Sequence, residues 1–150
     1  MKKKKLNVVW VEDVKASKSA IWYSLQPDVE DLGFQFNITY YDSGKDIATS
    51  ISATNGLRGK DGYNEENIVH LMLVDYNLEE TQEENQISGI DGRAVIIETR
   101  ACDHEIPILF YTGNTLVDLQ KLVDGEHNVY CAHRDDINAV AIRLLKEHFV

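Results

Sequence analysis

The chain has 150 residues, room for one domain with a single core that needs no disulfide framework or structural metal. Hydrophobic residues make up 43% and charged residues 27%, globular values that exclude disorder, while 9 Gly and 2 Pro exclude collagen-like and Pro-rich readings. The net charge is −10, which argues against a broad basic face for nucleic acid; its plain use is solubility. Cys102 and Cys131 lie in apolar-patterned segments and fit buried, reduced thiols; His104 near Cys102 finds no second pair to complete a zinc pattern. The apolar run after Lys2–Lys5 is closed by Glu12 and Asp13, too short for a signal peptide, and no stretch reaches the length of a membrane span. The expectation is a single domain, 1–150, located in the cytoplasm, with no membrane partner and no direct contact with nucleic acid.

Five short apolar runs read as strands. Leu6–Val11 ends on charge; Phe34–Tyr41 alternates Phe34, Phe36, Ile38 and Tyr40 as a half-buried, edge-like strand. Ile68–Val74 is nearly continuous, as expected of a central strand covered on both faces. Pro107–Tyr111 and Asn128–Ala132 complete the set. Helical spacing falls between them: Lys15 to about Leu25, Lys45 to about Ala53 behind a Ser43 cap, and Asp91–Ala101 with Ile90, Ala94, Ile97 and Ala101 on one face. Thr115–Val123 carries Leu116, Leu119 and Val123, and a last helix carries Ile137, Val140, Ala141, Leu144 and Leu145. Asp135 and Asp136 precede that helix, and Arg143 and Lys146 lie toward its end, as the helix dipole prefers. Strands alternating with helices predict an α/β doubly wound five-stranded parallel sheet.

Such sheets carry their sites beyond the carboxyl ends of the strands, so the residues ending each strand matter most. They are Glu12-Asp13, Asp75 with Tyr76 and Asn77, Thr112-Gly113-Asn114, and Tyr130 through His133-Arg134. Taken singly, each is an ordinary solvated strand end. Taken together, with the first and third strands as neighbours, three carboxylates meet and repel, and a hard divalent cation such as Mg²⁺ resolves the conflict. Asp75 is then placed as a nucleophile toward phosphorus, with Thr112 as a hydroxyl donor and a cation after the fifth strand as partner for the phosphoryl oxygens. His70 reads as a satisfied core histidine, Tyr130 equally well as a core aromatic, and 54–67 as a Gly- and Asn-rich connection with no assigned role.

The set Glu12-Asp13 in VVWVEDV, Asp75 in LMLVDYNL, Gly92 in GIDG, Thr112 in LFYTGN and Tyr130 in NVYCA resembles the receiver domain of two-component response regulators, in order and spacing, across essentially the whole chain. The resemblance implies the flavodoxin/CheY-like strand order 2-1-3-4-5. It implies that Glu12, Asp13, Asp75 and the Asn77 carbonyl hold Mg²⁺. It further implies that Asp75 accepts a phosphoryl group from a histidine kinase or phosphotransfer protein, and that Thr112 and Tyr130 form a switch pair. A response regulator in a phosphorelay is a signalling switch rather than an enzyme. Its output would be another protein or a homodimer bound through the face spanning 115–150, since little chain remains for an output domain, or a domain of which this is a fragment.

Two features depart from that pattern. The family's lysine after the fifth strand is replaced by His133, followed by Arg134, a good phosphate partner if the register slips by one. An insertion between Asp75 and Gly92 carries Glu79, Glu80, Glu83 and Glu84 and lies beside the expected phosphorylation site. Both features also suit a pseudo-receiver, a phosphorylation-independent protein-interaction module. A haloacid-dehalogenase-type phosphohydrolase would need a second aspartate where Asn77 stands, which counts against that class.

Overall fold

In the computed structural model, the residues described are 2–42, 69–76, 78, 92–102, 105–113 and 118–150. The expected Lys45–Ala53 helix with its Ser43 cap, the 54–67 connection, the acidic 79–88 insertion, Asn77, His104 and 114–117 lie outside them.

Alternation along the first strand sets the architecture. In β1 (Lys4–Val11), Leu6, Val8 and Trp10 enter one hydrophobic layer while Val9 and Val11 enter another. A strand apolar on both faces belongs at the centre of a sheet covered twice. The parallel sheet runs β2-β1-β3-β4-β5, with β2 at Phe34–Tyr41, β3 at Leu71–Asp75, β4 at Ile108–Thr112 and β5 at Val129–His133. This is the expected doubly wound, CheY-like order. β2 is the edge, and its alternating burial follows the Phe34, Phe36, Ile38, Tyr40 pattern. β3 is buried throughout and carries Asp75 as its last residue.

On the Trp10 side lie α1 (Lys15–Asp31) and the last helix. Ile21, Leu25 and Val29 of α1, spaced by four, pack against the sheet. That stripe explains why α1 runs past Pro27, where sequence reading ends it near Leu25. Pro27 faces solvent, so the chain gives up one backbone bond and gains the burial of Val29. Gly33, at φ 95, makes the left-handed turn into β2.

The opposite layer holds α2 (Gly92–Cys102) and the short α3 (Leu119–Leu122). Here the expected inward stripe of Ile90, Ala94, Ile97 and Ala101 needs correction. The buried face of α2 is Gly92, Val95, Ile96, Thr99 and Arg100, while Ile97 is 50% exposed. Gly92 sets this phase. A Cβ on it would stand 2.2 Å from the Asp75 carbonyl oxygen and 2.6 Å from the Tyr76 Cα, so only glycine fits against the end of β3. Positions three, four, seven and eight further on must then face the sheet. Of the expected Thr115–Val123 helix, Leu119–Leu122 is helical, and Leu119 and Val123 are buried as read.

After β5, a 3-10 turn (Arg134–Asp136) leads into α4 (Ile137–Phe149), whose Ile137, Ala141, Leu144 and Leu145 are buried with Val140 beside them. His70 lies just before β3 as a satisfied histidine: its Nδ1 accepts the Asn7 N–H at 2.8 Å, and burial, then Lys4, lower its pKa. Cys131 is a free, half-buried thiol that burial pushes up to about 11, chemically quiet at neutral pH. No helix among the described residues is long and apolar enough to cross a membrane.

Candidate metal and phosphoryl site

β2 and β3 lie on opposite sides of β1, so the chain reverses its direction of sheet growth between β1 and β3. That is where open α/β sheets form a crevice at their carboxyl ends. Val11 pairs with Val74, so one residue further Glu12 stands level with Asp75, and Asp13 follows it above the sheet. Carboxylate oxygens of Glu12, Asp13 and Asp75 lie within 4.8 Å of one another, and all three side chains are buried. Thr112, at 0% exposure, ends the next strand over.

Three acids at this spacing cannot all stay charged without a cation. Burial first, then the hydrogen bond and charge of neighbouring Asp75, push the Glu12 carboxyl from 4.5 up to about 9. An all-oxygen, closely set, buried donor group matches the chemistry of a small hard divalent ion, which prefers carboxylates and keeps several waters. The residues present therefore fit Mg²⁺.

Glu12 is held from several directions. Its Oε2 accepts the Val14 N–H at 3.2 Å. Its Oε1 accepts the Tyr111 hydroxyl at 3.3 Å, and that hydroxyl in turn accepts the Trp10 indole N–H at 2.9 Å. Its backbone carbonyl accepts the Tyr40 hydroxyl. Burial raises the Tyr111 phenol well above its usual range, with the charges of Glu12 and Asp75 adding to the effect, so it stays a proton donor. Sequence reading missed Trp10 and Tyr111. Trp10 had a signal, strand alternation, which puts it two residues before Glu12 on the same face; Tyr111 had none, because its meeting with Glu12 depends on a register the sequence does not state.

The sequence-expected cations divide. His133 pairs with Thr112 across β4 and β5, and its Nε2 is buried with no hydrogen-bond partner. Arg134, on the following turn, reaches the acids: its Nη2 lies 3.6 Å from Glu12 Oε1, and its guanidinium passes over Gly113, where a Cβ would sit 3.7 Å from the guanidinium carbon. Tyr130 is not brought to Thr112. It pairs with Leu109, three positions back along β4, and its hydroxyl donates to Glu147 and meets His148 Nε2 at 2.9 Å, both on α4. Arg143 stacks over its ring at 5.5 Å. Asn77 lies outside the described residues.

No protein-family model matches the sequence, and no curated protein matches it. Solved structures do. A response regulator receiver protein from Sinorhizobium medicae WSM419 superposes with a TM-score of 0.59 at 14% identity, covering 96% of this chain and 97% of that one. The D1050A mutant of the receiver domain of the histidine kinase CKI1 from Arabidopsis thaliana gives 0.62 at 15%, covering 95% and 90%. The signal receiver domain of the response regulator NarL from Mycobacterium tuberculosis gives 0.56 at 15%, covering 95% and 98%. A lysine decarboxylase from Francisella novicida also contains the fold, over 99% of this chain and 18% of its own, at 10% identity and a TM-score of 0.54. The chain thus has the fold of receiver domains, and that fold also occurs within a larger enzyme.

Proposed function

We propose that this chain is a response regulator receiver domain of a phosphorelay, which accepts a phosphoryl group on Asp75 with Mg²⁺ and switches a protein-interaction face. One observation carries the reading. The three buried carboxylates of Glu12, Asp13 and Asp75 converge at the switch point of a receiver-type sheet, within 4.8 Å of one another.

Glu12, Asp13 and Asp75 would hold the ion, with the Asn77 carbonyl as the further ligand the resemblance implies. Bound there, the ion would neutralise the acids and orient phosphoryl oxygens. The donor is a phosphohistidine of a histidine kinase or phosphotransfer protein. An Asp75 carboxylate oxygen attacks phosphorus, the P–O bond forms as the P–N bond breaks, and the imidazole nitrogen leaves with the electron pair. Thr112 offers its hydroxyl to the new oxygens, and Arg134 or a protonated His133 supplies the positive charge the family's lysine would give. The response is read on the face spanning 115–150. There the Tyr130 hydroxyl must leave Glu147 and His148 for its ring to turn inward.

A second reading draws on His133 standing where a lysine is expected. A pseudo-receiver would keep the fold and bind its partner without phosphate. One experiment separates the two. With Mg²⁺ and a small phosphodonor or beryllium fluoride, the wild-type chain should gain one adduct by intact mass and Asp75→Ala none. Identical masses for both chains would remove the phosphoacceptor role and leave the interaction module.

A further inference from the structure

The acid site contains a cation of its own. Arg134 Nη2 approaches Oε1 of Glu12, the same oxygen that accepts the Tyr111 hydroxyl, while Oε2 accepts the Val14 N–H. Both oxygens of Glu12 are therefore already engaged before any ion arrives, and a carboxylate oxygen has two lone pairs to give. The groups engaging it differ in freedom. Tyr111 is fully buried and tied to Trp10, and Val14 is backbone at the start of α1. The Arg134 side chain is 43% exposed, sits on a one-turn 3-10 segment, and runs over Gly113, where no side chain blocks its swing. At 3.6 Å its contact is an ion pair longer than a hydrogen bond, the weakest of the set and the easiest to break.

We propose that Arg134 is a built-in competitor for the metal: it occupies the Oε1 side of Glu12 while no ion is bound, and an incoming divalent ion displaces it toward the position of the Asp75 phosphoryl oxygens. One group then performs two tasks in sequence. It covers Glu12 in the resting pocket, and it is delivered as a fork-shaped phosphate partner when the metal makes transfer possible. Metal affinity is lowered as a result, so the site loads only where Mg²⁺ is plentiful. This inference rests on the reading that Glu12, Asp13 and Asp75 bind the ion.

Calorimetric titration with Mg²⁺ of the wild-type chain, Arg134→Ala, Arg134→Gln and Asp13→Asn tests it, alongside side-chain ¹⁵N spectra of Arg134 during the same titration. Arg134→Ala and Arg134→Gln should both bind about three- to tenfold more tightly, the scale of one half-exposed ion pair removed. The Arg134 Nε–H resonance should move with the midpoint of metal binding. Equal or weaker binding in both variants, or tighter binding with an unmoved resonance, overturns the competitor role while wild-type binding that Asp13→Asn abolishes keeps the metal site. No binding by any of the four chains overturns both.

Discussion

Gly92 shows how one residue type can decide both a helix and a site. The carbonyl and Cα it crowds belong to Asp75 and Tyr76, the end of the strand that carries the proposed phosphoacceptor. Any side chain there must push α2 off the sheet or push Asp75 away from Glu12 and Asp13, because backbone, not a flexible side-chain tip, lies in the way. Gly92→Ala should cost on the order of 2–3 kcal/mol, read as a lower urea midpoint with an unchanged slope, and should weaken Mg²⁺ binding as well. A variant as stable as wild type would show that the contact relaxes freely. At this scale the sequence was informative where chemistry sits at a strand end: Glu12, Asp13, Asp75 and Thr112 each follow an apolar run and could be picked from it. Tyr111 could not, because in a run as apolar as PILFY nothing distinguishes a tyrosine that fills space from one that holds a carboxylate. That role exists only once β1 and β4 are each registered on β3.

Among the elements, α2 is where pattern and structure part. Ala94, Ile97 and Ala101 make a respectable apolar stripe, yet the helix turns Thr99 and Arg100 inward instead. Periodicity counts apolar residues, and here an arginine outcompetes an isoleucine for the buried side. The reason is a demand at the far end of the sheet. Arg100 Nη2 donates to the carbonyls of Ile106 and His127 at 2.7 Å each, and its Nε donates to His127 at 3.0 Å, clamping α2 to the entrances of β4 and β5. Asn128, at φ 58, bends the chain around the clamp. Carbonyls satisfied by a buried charge are costly to orphan. Arg100→Met, close in length and without donors, should lower stability by about 2–4 kcal/mol, while an exposed arginine such as Arg93 replaced the same way should stay within about 0.5 kcal/mol. Comparable urea midpoints for the two variants would refute the clamp. The other helices were legible because their buried positions are apolar and evenly spaced: Ile21, Leu25 and Val29 in α1, and Ile137, Ala141, Leu144 and Leu145 in α4.

Across the whole molecule, the fold concentrates acid where it buries it, and that couples stability to pH and metal. Burial and Asp75 raise Glu12 from 4.5 to about 9 in the folded chain. Between those values the folded state keeps a proton that the unfolded state has released. By linkage, the Glu12 contribution to stability must then fall as pH rises through that window and level off above about 9, while His70, whose pKa burial lowers, contributes in the opposite direction below its ordinary value of 6.5. The Glu12 trend is the reverse of the usual salt-bridged carboxylate, whose contribution grows as it ionises. The metal-free chain, kept in chelator at constant ionic strength, should therefore show a melting temperature that declines from about pH 6.5 to about pH 9. Glu12→Gln, which is neutral at every pH and keeps the side chain's shape, should flatten that decline. Excess Mg²⁺ should oppose it as well, since an ion that binds only the folded, ionised acids stabilises more as those acids lose their protons. A melting temperature that rises over that range in chelator would mean that Glu12 is ionised in the resting pocket, with the Arg134 contact strong enough to offset its burial.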